Sequence, residues 1–247
     1  MIVHKYVKRG LNHANYCEDF ILHETVGEKY ELFGVFDGCS SGKDSHFASS
    51  FIAKVIRSEF LNMDVKNGEI PKKLQKKLLY RSVQKIKELK SKLLLDIDDL
   101  LSTIILFIYD KMNDCGHIVV VGDGFVSING QQNSIDQNNM PDYLAYHLDK
   151  INDEDKFLNW YKQHTKVFSV DKLLDVSIST DGVESFVKKN VSVESEAVLD
   201  PGNYLLSDDF LIINKAMLGR KCNILERKYG LVNGDDLGII RVVKKNE

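Results

Sequence analysis

At 247 residues, with 43% hydrophobic residues, 28% charged residues and only three prolines, the chain has the composition of an ordinary globular protein and not of a disordered or fibrous one. A formal charge of -3 supplies no general attraction to nucleic acid or to anionic membrane. The four cysteines, Cys17, Cys39, Cys115 and Cys222, lie far apart with no C-x-x-C pair, which argues against a zinc knuckle or a disulfide framework and for reduced thiols in the cytoplasm.

The amino-terminal "MIVHKYVKRG" lacks the apolar core of a secretion signal. "IVHKYV", "DFILHE" and "KYELFGVF" then read as strands, rich in aromatic and β-branched residues and separated by turn formers. The third runs into Asp37-Gly38, after which Phe47, Phe51, Ile52, Val55, Ile56 and Phe60 recur at helical spacing. Ser41 followed three residues later by Asp44 predicts a capping box at that helix start. A second helix is expected from about Pro71 to about Leu95, with Leu74, Leu78, Ile86, Leu89 and Leu93 on one face and lysines on the solvated other.

"LLSTIILFIYD" and "GHIVVVGDGFVSING" read as strands, the second folded into a tight hairpin at Gly122-Asp123-Gly124. The apolar stretch at 100–109 is far shorter than the roughly 20 residues needed to cross a bilayer. Residues 129–142 hold seven Asn or Gln in fourteen positions and predict a polar surface loop within a single domain spanning 1–247. "FLNWYKQH" reads as helix, with Trp160 a packing residue, and "KVFSV" and "LLDVSIST" as strands. A helical stretch around "DFLIINKAMLGRKCNILERKYG" follows, and "GDDLGIIRVV" closes the chain as a strand.

Acids flank these strands repeatedly: Glu18-Asp19, Asp37-Gly38, Asp123, Asp181-Gly182 and Asp235-Asp236. One Asp-Gly pair is a common turn former, but five acidic segments at strand ends can converge on one edge of an antiparallel sheet. Carboxylates gathered so closely repel and protonate unless cations sit among them, and hard oxygen ligands suit magnesium, manganese or calcium.

In their order, "NYCEDF", "FGVFDG", "VGDGFVSI", "ISTDGVESF" and "GDDLGIIRVV" resemble the successive motifs of the metal-dependent type 2C protein phosphatases, especially their compact bacterial members. The resemblance spans roughly residues 10 to 243. It implies an α+β fold: a two-layer antiparallel β-sandwich flanked by α-helices on both faces, with a binuclear manganese or magnesium site at one edge. Carried over by motif, Asp37 would bridge both metals and orient the nucleophilic water, and the Gly38 carbonyl would bind one ion. Asp181 and Asp235 would complete that shell, Glu18 and Asp19 would hold the second ion, and Asp123 would serve a third, weaker one. The implied activity is hydrolysis of phosphoserine or phosphothreonine in a phosphorylated protein by a monomeric enzyme.

Three departures qualify that expectation. Cys39-Ser40-Ser41-Gly42 stands where the family has a proton-donating histidine, which leaves water held by a metal, or His46, as the donor. The phosphate-binding arginine is replaced at the nearest position by His13, with Arg9 the nearest guanidinium. Ser185 occupies the place of a further acid, with Glu184 one residue earlier. Alternatives are therefore a pseudophosphatase acting as a binding or regulatory module, a small-molecule phosphohydrolase, or a calcium-binding structural domain.

Overall fold

The structure, a computed structural model, describes residues 1–64, 69–138, 140–189 and 199–244. Its strands in chain order are β1 (Ile2–Lys8), β2 (Asp19–Val26), β3 (Tyr30–Asp37), β4 (Ile104–Asp110), β5 (Cys115–Val121), β6 (Gly124–Ile128), β7 (Gln131–Ile135), β8 (Lys166–Val170), β9 (Asp175–Ser179), β10 (Phe186–Lys188), β11 (Leu231–Asn233) and β12 (Leu237–Val243). The helices are α1 (Ser45–Leu61), α2 (Pro71–Leu93), α3 (Glu154–His164), α4 (Pro201–Leu206) and α5 (Met217–Tyr229). One sheet has the order β1-β12-β9-β6-β7 and the other β2-β3-β4-β5-β8, while β10 and β11 form a short ribbon.

Strands β3 and β4 are covered on both faces, so their residues alternate between two cores. Phe33, Val35, Ile105 and Phe107 point between the sheets, where Val126, Ile178, Ile240 and Val242 meet them. Leu32, Phe36, Ile104, Leu106 and Ile108 point the other way, onto Ile52, Ile56 and Phe60 of α1 and Leu74, Leu78 and Val83 of α2. On the far side, Leu205 and Leu206 of α4 and Met217, Leu218 and Leu225 of α5 cover Leu237 and Ile239. The outcome is the expected sandwich with helices on both faces.

Four local expectations are corrected. Gly122-Asp123-Gly124 is not a hairpin turn: β5 pairs with β4 and β8, whereas β6 pairs with β7 and β9, so the chain passes there from one sheet to the other. Gly122 at φ +81 and Gly124 at φ +147 make the crossing, and a Cβ on Gly124 would fall 2.4 Å from Ile105 Cδ1. The polar 129–142 loop contains β7, because β6 offers an unpaired edge that even Gln- and Asn-rich backbone can satisfy; Asn139 lies outside the described residues. The capping box does not form: Asp44 is the N-cap through its backbone carbonyl alone, and Ser41 Oγ instead pairs with Cys39 Sγ at 3.1 Å. Leu93, assigned to the apolar face of α2, is exposed at that helix's last turn.

Two buried polar clusters hold layers together. Gln75 of α2 donates from Nε2 to the carbonyls of Leu106 and His117, both at 2.9 Å, and its Oε1 lies 2.5 Å from His117 Nδ1. Burial, reinforced by Lys72 and Lys76, pushes the His117 imidazole down to about 4. The unfolded chain therefore takes up the proton first as pH falls, so stability is lost between about pH 6.5 and pH 4, by up to about 3 kcal/mol in total. Urea unfolding of His117→Asn across this range is expected to show a shallower decline than the unaltered protein; parallel profiles would show that His117 does not titrate there.

The second cluster centres on Arg241 of β12, fully buried and bidentate on Asp175 through Nε (3.0 Å) and Nη2 (2.6 Å). Its other N–H groups reach the carbonyls of Asp208 at 2.7 Å and Ser207 at 2.9 Å. Lys221 of α5, also buried, donates to the Tyr204 carbonyl at 2.6 Å and to Asp208 Oδ1 at 3.0 Å. These two cations anchor the segment after α4 to the sheet.

Candidate active site

Strand pairing places the first acids. Asp19 at the start of β2 lies opposite Asp37 at the end of β3. Thr103, just before β4, grips Asp37 from both sides: its Oγ1 accepts from the Asp37 N–H at 3.1 Å and its N–H donates to the Asp37 carbonyl at 2.8 Å. Gly38 continues the edge by donating to the Glu18 carbonyl at 3.1 Å.

The other sheet delivers Asp181 and Asp235 to the same end. Asp181 follows β9, and Asp235 precedes β12, the strand paired with β9. Gly182 lets the two corners touch, since a Cβ there would fall 1.6 Å from the Asp236 carbonyl oxygen. Thr180 bridges the sheets: its Oγ1 donates to Asp19 Oδ2 at 2.7 Å and accepts from the Gly238 N–H at 3.0 Å. Asp123, at the sheet-to-sheet crossing, lines an acidic pocket with Asp136, Asp181, Glu184 and Asp235.

These carboxylates perturb one another. Burial first, then the charges of Asp19, Asp181 and Asp235, raise the Asp37 carboxyl well above its usual range. Burial likewise raises Asp19, against the pull of the Thr180 hydroxyl and with added repulsion from Asp236 and Asp181. Asp181 is pushed up to about 6 by burial and by Asp235, Asp123 and Glu184. Among the described residues no lysine or arginine forms an ion pair with any of them; Asp235 lies 3.3 Å from His13 and accepts from the Asp236 N–H at 2.7 Å.

Asp19 Oδ1 and Asp123 Oδ1 are buried with no hydrogen-bond partner. A buried, unpartnered carboxylate oxygen is costly, and an oxygen-binding cation satisfies it. The donor set thus fits hard divalent ions of the magnesium or manganese kind.

The paired acids before β12 divide their roles. Asp236 is almost fully buried and clamps the loop after β1: Oδ1 accepts from the Gly10 N–H at 2.6 Å and Oδ2 from the Glu18 N–H. His13 Nδ1 lies 2.8 Å from Asp236 Oδ2, and Nε2 lies 3.4 Å from Ser40 Oγ. Burial acts against the imidazolium, but Asp236, Glu18 and Asp235 outweigh it and raise the His13 pKa. Glu18 sits at the rim, accepting from Ser40 Oγ at 2.7 Å.

His46 stands apart from the carboxylate cluster's hydrogen bonds. Its ring stacks on Tyr16 at 4.4 Å, and together with His13 and Glu18 it lines a neighbouring cleft. Arg9 is spent on the loop itself, donating to the Ala14 carbonyl at 2.6 Å. Ser185 is a backbone tie, its hydroxyl donating to the Gly182 carbonyl at 2.7 Å and accepting from the Asp235 N–H at 3.0 Å. Cys39 is lowered in pKa despite burial, because the hydroxyls of Ser41 and Tyr143 and nearby backbone N–H groups stabilise the thiolate.

Sequence reasoning missed Thr180, Thr103, Asp136 and Tyr143 as site neighbours. Thr180 had a signal, a hydroxyl directly before a strand-ending Asp; Asp136 and Tyr143 reach the site only through the path of the chain after β7.

The arrangement is a helix-flanked double antiparallel sheet with a carboxylate cluster at one edge. The Protein phosphatase 2C profile matches residues 9–204, most of the chain, and the protein belongs to that family. The fold resembles Stp1, a serine/threonine phosphatase of Staphylococcus aureus, with a TM-score of 0.59 at 13% identity over 100% of this chain and 96% of that one. It also resembles RsbX in complex with magnesium, with a TM-score of 0.53 at 15% identity over 97% and 92% of the two chains. Against the phosphatase domain and regulatory fragment of SpoIIE from Bacillus subtilis the TM-score is 0.53 at 13% identity; 98% of this chain is covered but only 63% of that one. Comparison with curated protein sequences gives no significant match. Among the described residues no helix is long and apolar enough to cross a membrane.

Proposed function

We propose that the protein is a manganese- or magnesium-dependent phosphatase of phosphoserine and phosphothreonine in proteins. The observation that carries this reading is the buried, unpartnered oxygen on Asp19 beside the strongly perturbed Asp37, with a second on Asp123 near Asp181. Bound divalent cations would supply Lewis-acid charge stabilisation and a water of lowered pKa, which is the chemistry phosphoester hydrolysis requires.

Asp37, Asp181, Asp235 and the Gly38 carbonyl would hold one ion, Asp37 with Glu18 and Asp19 the second, and Asp123 with Asp181 a weaker third. Thr180 and Thr103 keep Asp19 and Asp37 in place by the bonds described. His13, whose pKa is raised by Asp236, Glu18 and Asp235 against burial, is the candidate contact for a phosphoryl oxygen. His46, in the adjoining cleft, is the candidate donor to the leaving alcohol. Cytoplasmic location, a monomeric state and a phosphorylated protein as partner, with neither nucleic acid nor membrane, complete the proposal.

A pseudophosphatase reading is favoured by one observation: Cys39 occupies the donor's position and turns its thiol to Ser41 and Tyr143. Hydrolysis of a phosphothreonine peptide, an aryl phosphate and small phosphate metabolites, each with manganese and with chelator, tests the readings. Metal-dependent turnover of the peptide above the metabolites is expected. Absence of any turnover by folded protein would leave the binding-module reading standing, and faster turnover of a metabolite would replace the protein substrate.

A further inference from the structure

Outside the carboxylate cluster, three residues from separate parts of the chain converge on one point. Asp142 follows the β7 segment, His147 lies in the 3-10 turn Leu144–Lys150, and His164 ends α3. His147 Nε2 lies 2.6 Å from Asp142 Oδ1, and His164 Nδ1 lies 2.6 Å from Asp142 Oδ2. The three ligand atoms all fall within 4.8 Å of one another. The imidazole rings lie 4.2 Å apart between centroids, tilted at 44°, and all three side chains are partly buried.

We propose that Asp142, His147 and His164 form a second metal site, selective for a borderline cation of the zinc type and distinct from the oxygen-rich centre at Asp37. Two neutral imidazoles and one carboxylate carry a single negative charge, suited to a divalent ion, and nitrogen donors favour zinc or cobalt over magnesium. Among the described residues no lysine or arginine pairs with Asp142, whose charge is met by the two histidines. Burial works against its carboxylate, yet their hydrogen bonds hold its pKa below the usual range.

Zinc–nitrogen bonds of about 2.0 to 2.1 Å in tetrahedral geometry separate ligand atoms by about 3.4 Å, so each imidazole nitrogen, at 2.6 Å from its carboxylate oxygen, need retreat from that oxygen by less than about 1 Å. The carboxylate is itself placed by the Gln137 side chain, which accepts from the Asp142 N–H at 2.5 Å. The next residue, Tyr143, brings its hydroxyl to the Cys39 thiol, so the ion would fasten α3 to the wall of the candidate active site.

Trp160, the single tryptophan, reports on this site directly. Its indole lies 6.2 Å from the His147 ring and is stacked 6.4 Å from the His164 ring, between centroids. Chelator-treated protein is titrated with cobalt in excess magnesium while tryptophan emission and cobalt absorption are followed. Saturable quenching at one equivalent is expected, reversed by zinc. His147→Ala and His164→Ala should each weaken it at least about tenfold, and Asp37→Asn should leave it unchanged.

Circular dichroism on each variant separates lost binding from lost folding, and Asp142→Asn provides an independent third substitution. Absence of saturable quenching in the unaltered protein would overturn the proposal, as would quenching that folded histidine variants retain. The first result would leave the triad as a hydrogen-bonded staple; the second would place the ion elsewhere.

Discussion

Asp37→Asn is expected to lower metal-dependent phosphatase turnover by at least about 10² to 10³-fold, the scale of losing one charge-stabilising group from a preorganised site. The same substitution should raise the melting temperature of the metal-free protein. Without cations, Asp37 is buried beside Asp19, Asp181 and Asp235, and each of them makes its ionised form less favourable. An amide of the same shape removes that repulsion. It also removes the attraction for ions, so manganese, which on the proposed reading would stabilise the unaltered protein by about 2.7 kcal/mol at a hundred times its Kd, should shift the variant much less.

Activity measurements with thermal scans, in manganese and in chelator, read both effects. A loss of activity without the apo stabilisation would mean that Asp37 is not in contact with the other carboxylates. Equal manganese stabilisation of both proteins would place the ions elsewhere.

Arg241→Met is expected to carry the largest stability loss, about 3 to 5 kcal/mol, because it breaks a buried ion pair and leaves Asp175 without its partner. The carbonyls of Ser207 and Asp208 lose donors as well. For a chain of this size that corresponds to a fall of about 10 °C or more in melting temperature. Combining it with Asp175→Leu should recover part of the loss, since an apolar pair avoids the stranded charge. Melting curves of the two single variants and the double variant test this. A loss below about 1 kcal/mol for Arg241→Met would mean that water reaches the guanidinium's place.

Much of the fold was legible because periodicity is a local property. Short runs rich in aromatic and β-branched residues, "KYELFGVF" and "LLDVSIST", mark β3 and β9, and the i, i+4 spacing of Phe47, Phe51 and Val55 marks α1. Pairing is not local, and there the sequence misled. Gly122-Asp123-Gly124 has the composition of a hairpin turn, yet the residues that decide its geometry lie far away: β4 and β8 claim β5, while β9 claims β6. The edge strand β7 was hidden for the same reason, since its Asn and Gln side chains carry no pattern and its backbone pairs only because β6 is adjacent.

The candidate site divides in the same way. Acids at five strand ends, and the glycines beside them, were visible as chain-local signals of a cation-binding edge. Their grouping was not: Asp19 and Asp37 meet through strand register, Asp181 and Asp235 through the contact at Gly182, and Thr180 joins the two sheets. Asp236 shows the limit most directly, because the family resemblance chose Asp235 as the ligand but left Asp236 without a role. Only the packing of the Gly10 and Glu18 backbone against it makes one acid a buried clamp while its neighbour faces the site. The chain by itself determined which residue types stand at strand ends and the family to which their order belongs. Tertiary structure alone decided which of those charges share a desolvated volume, because burial and mutual repulsion depend on distances in space.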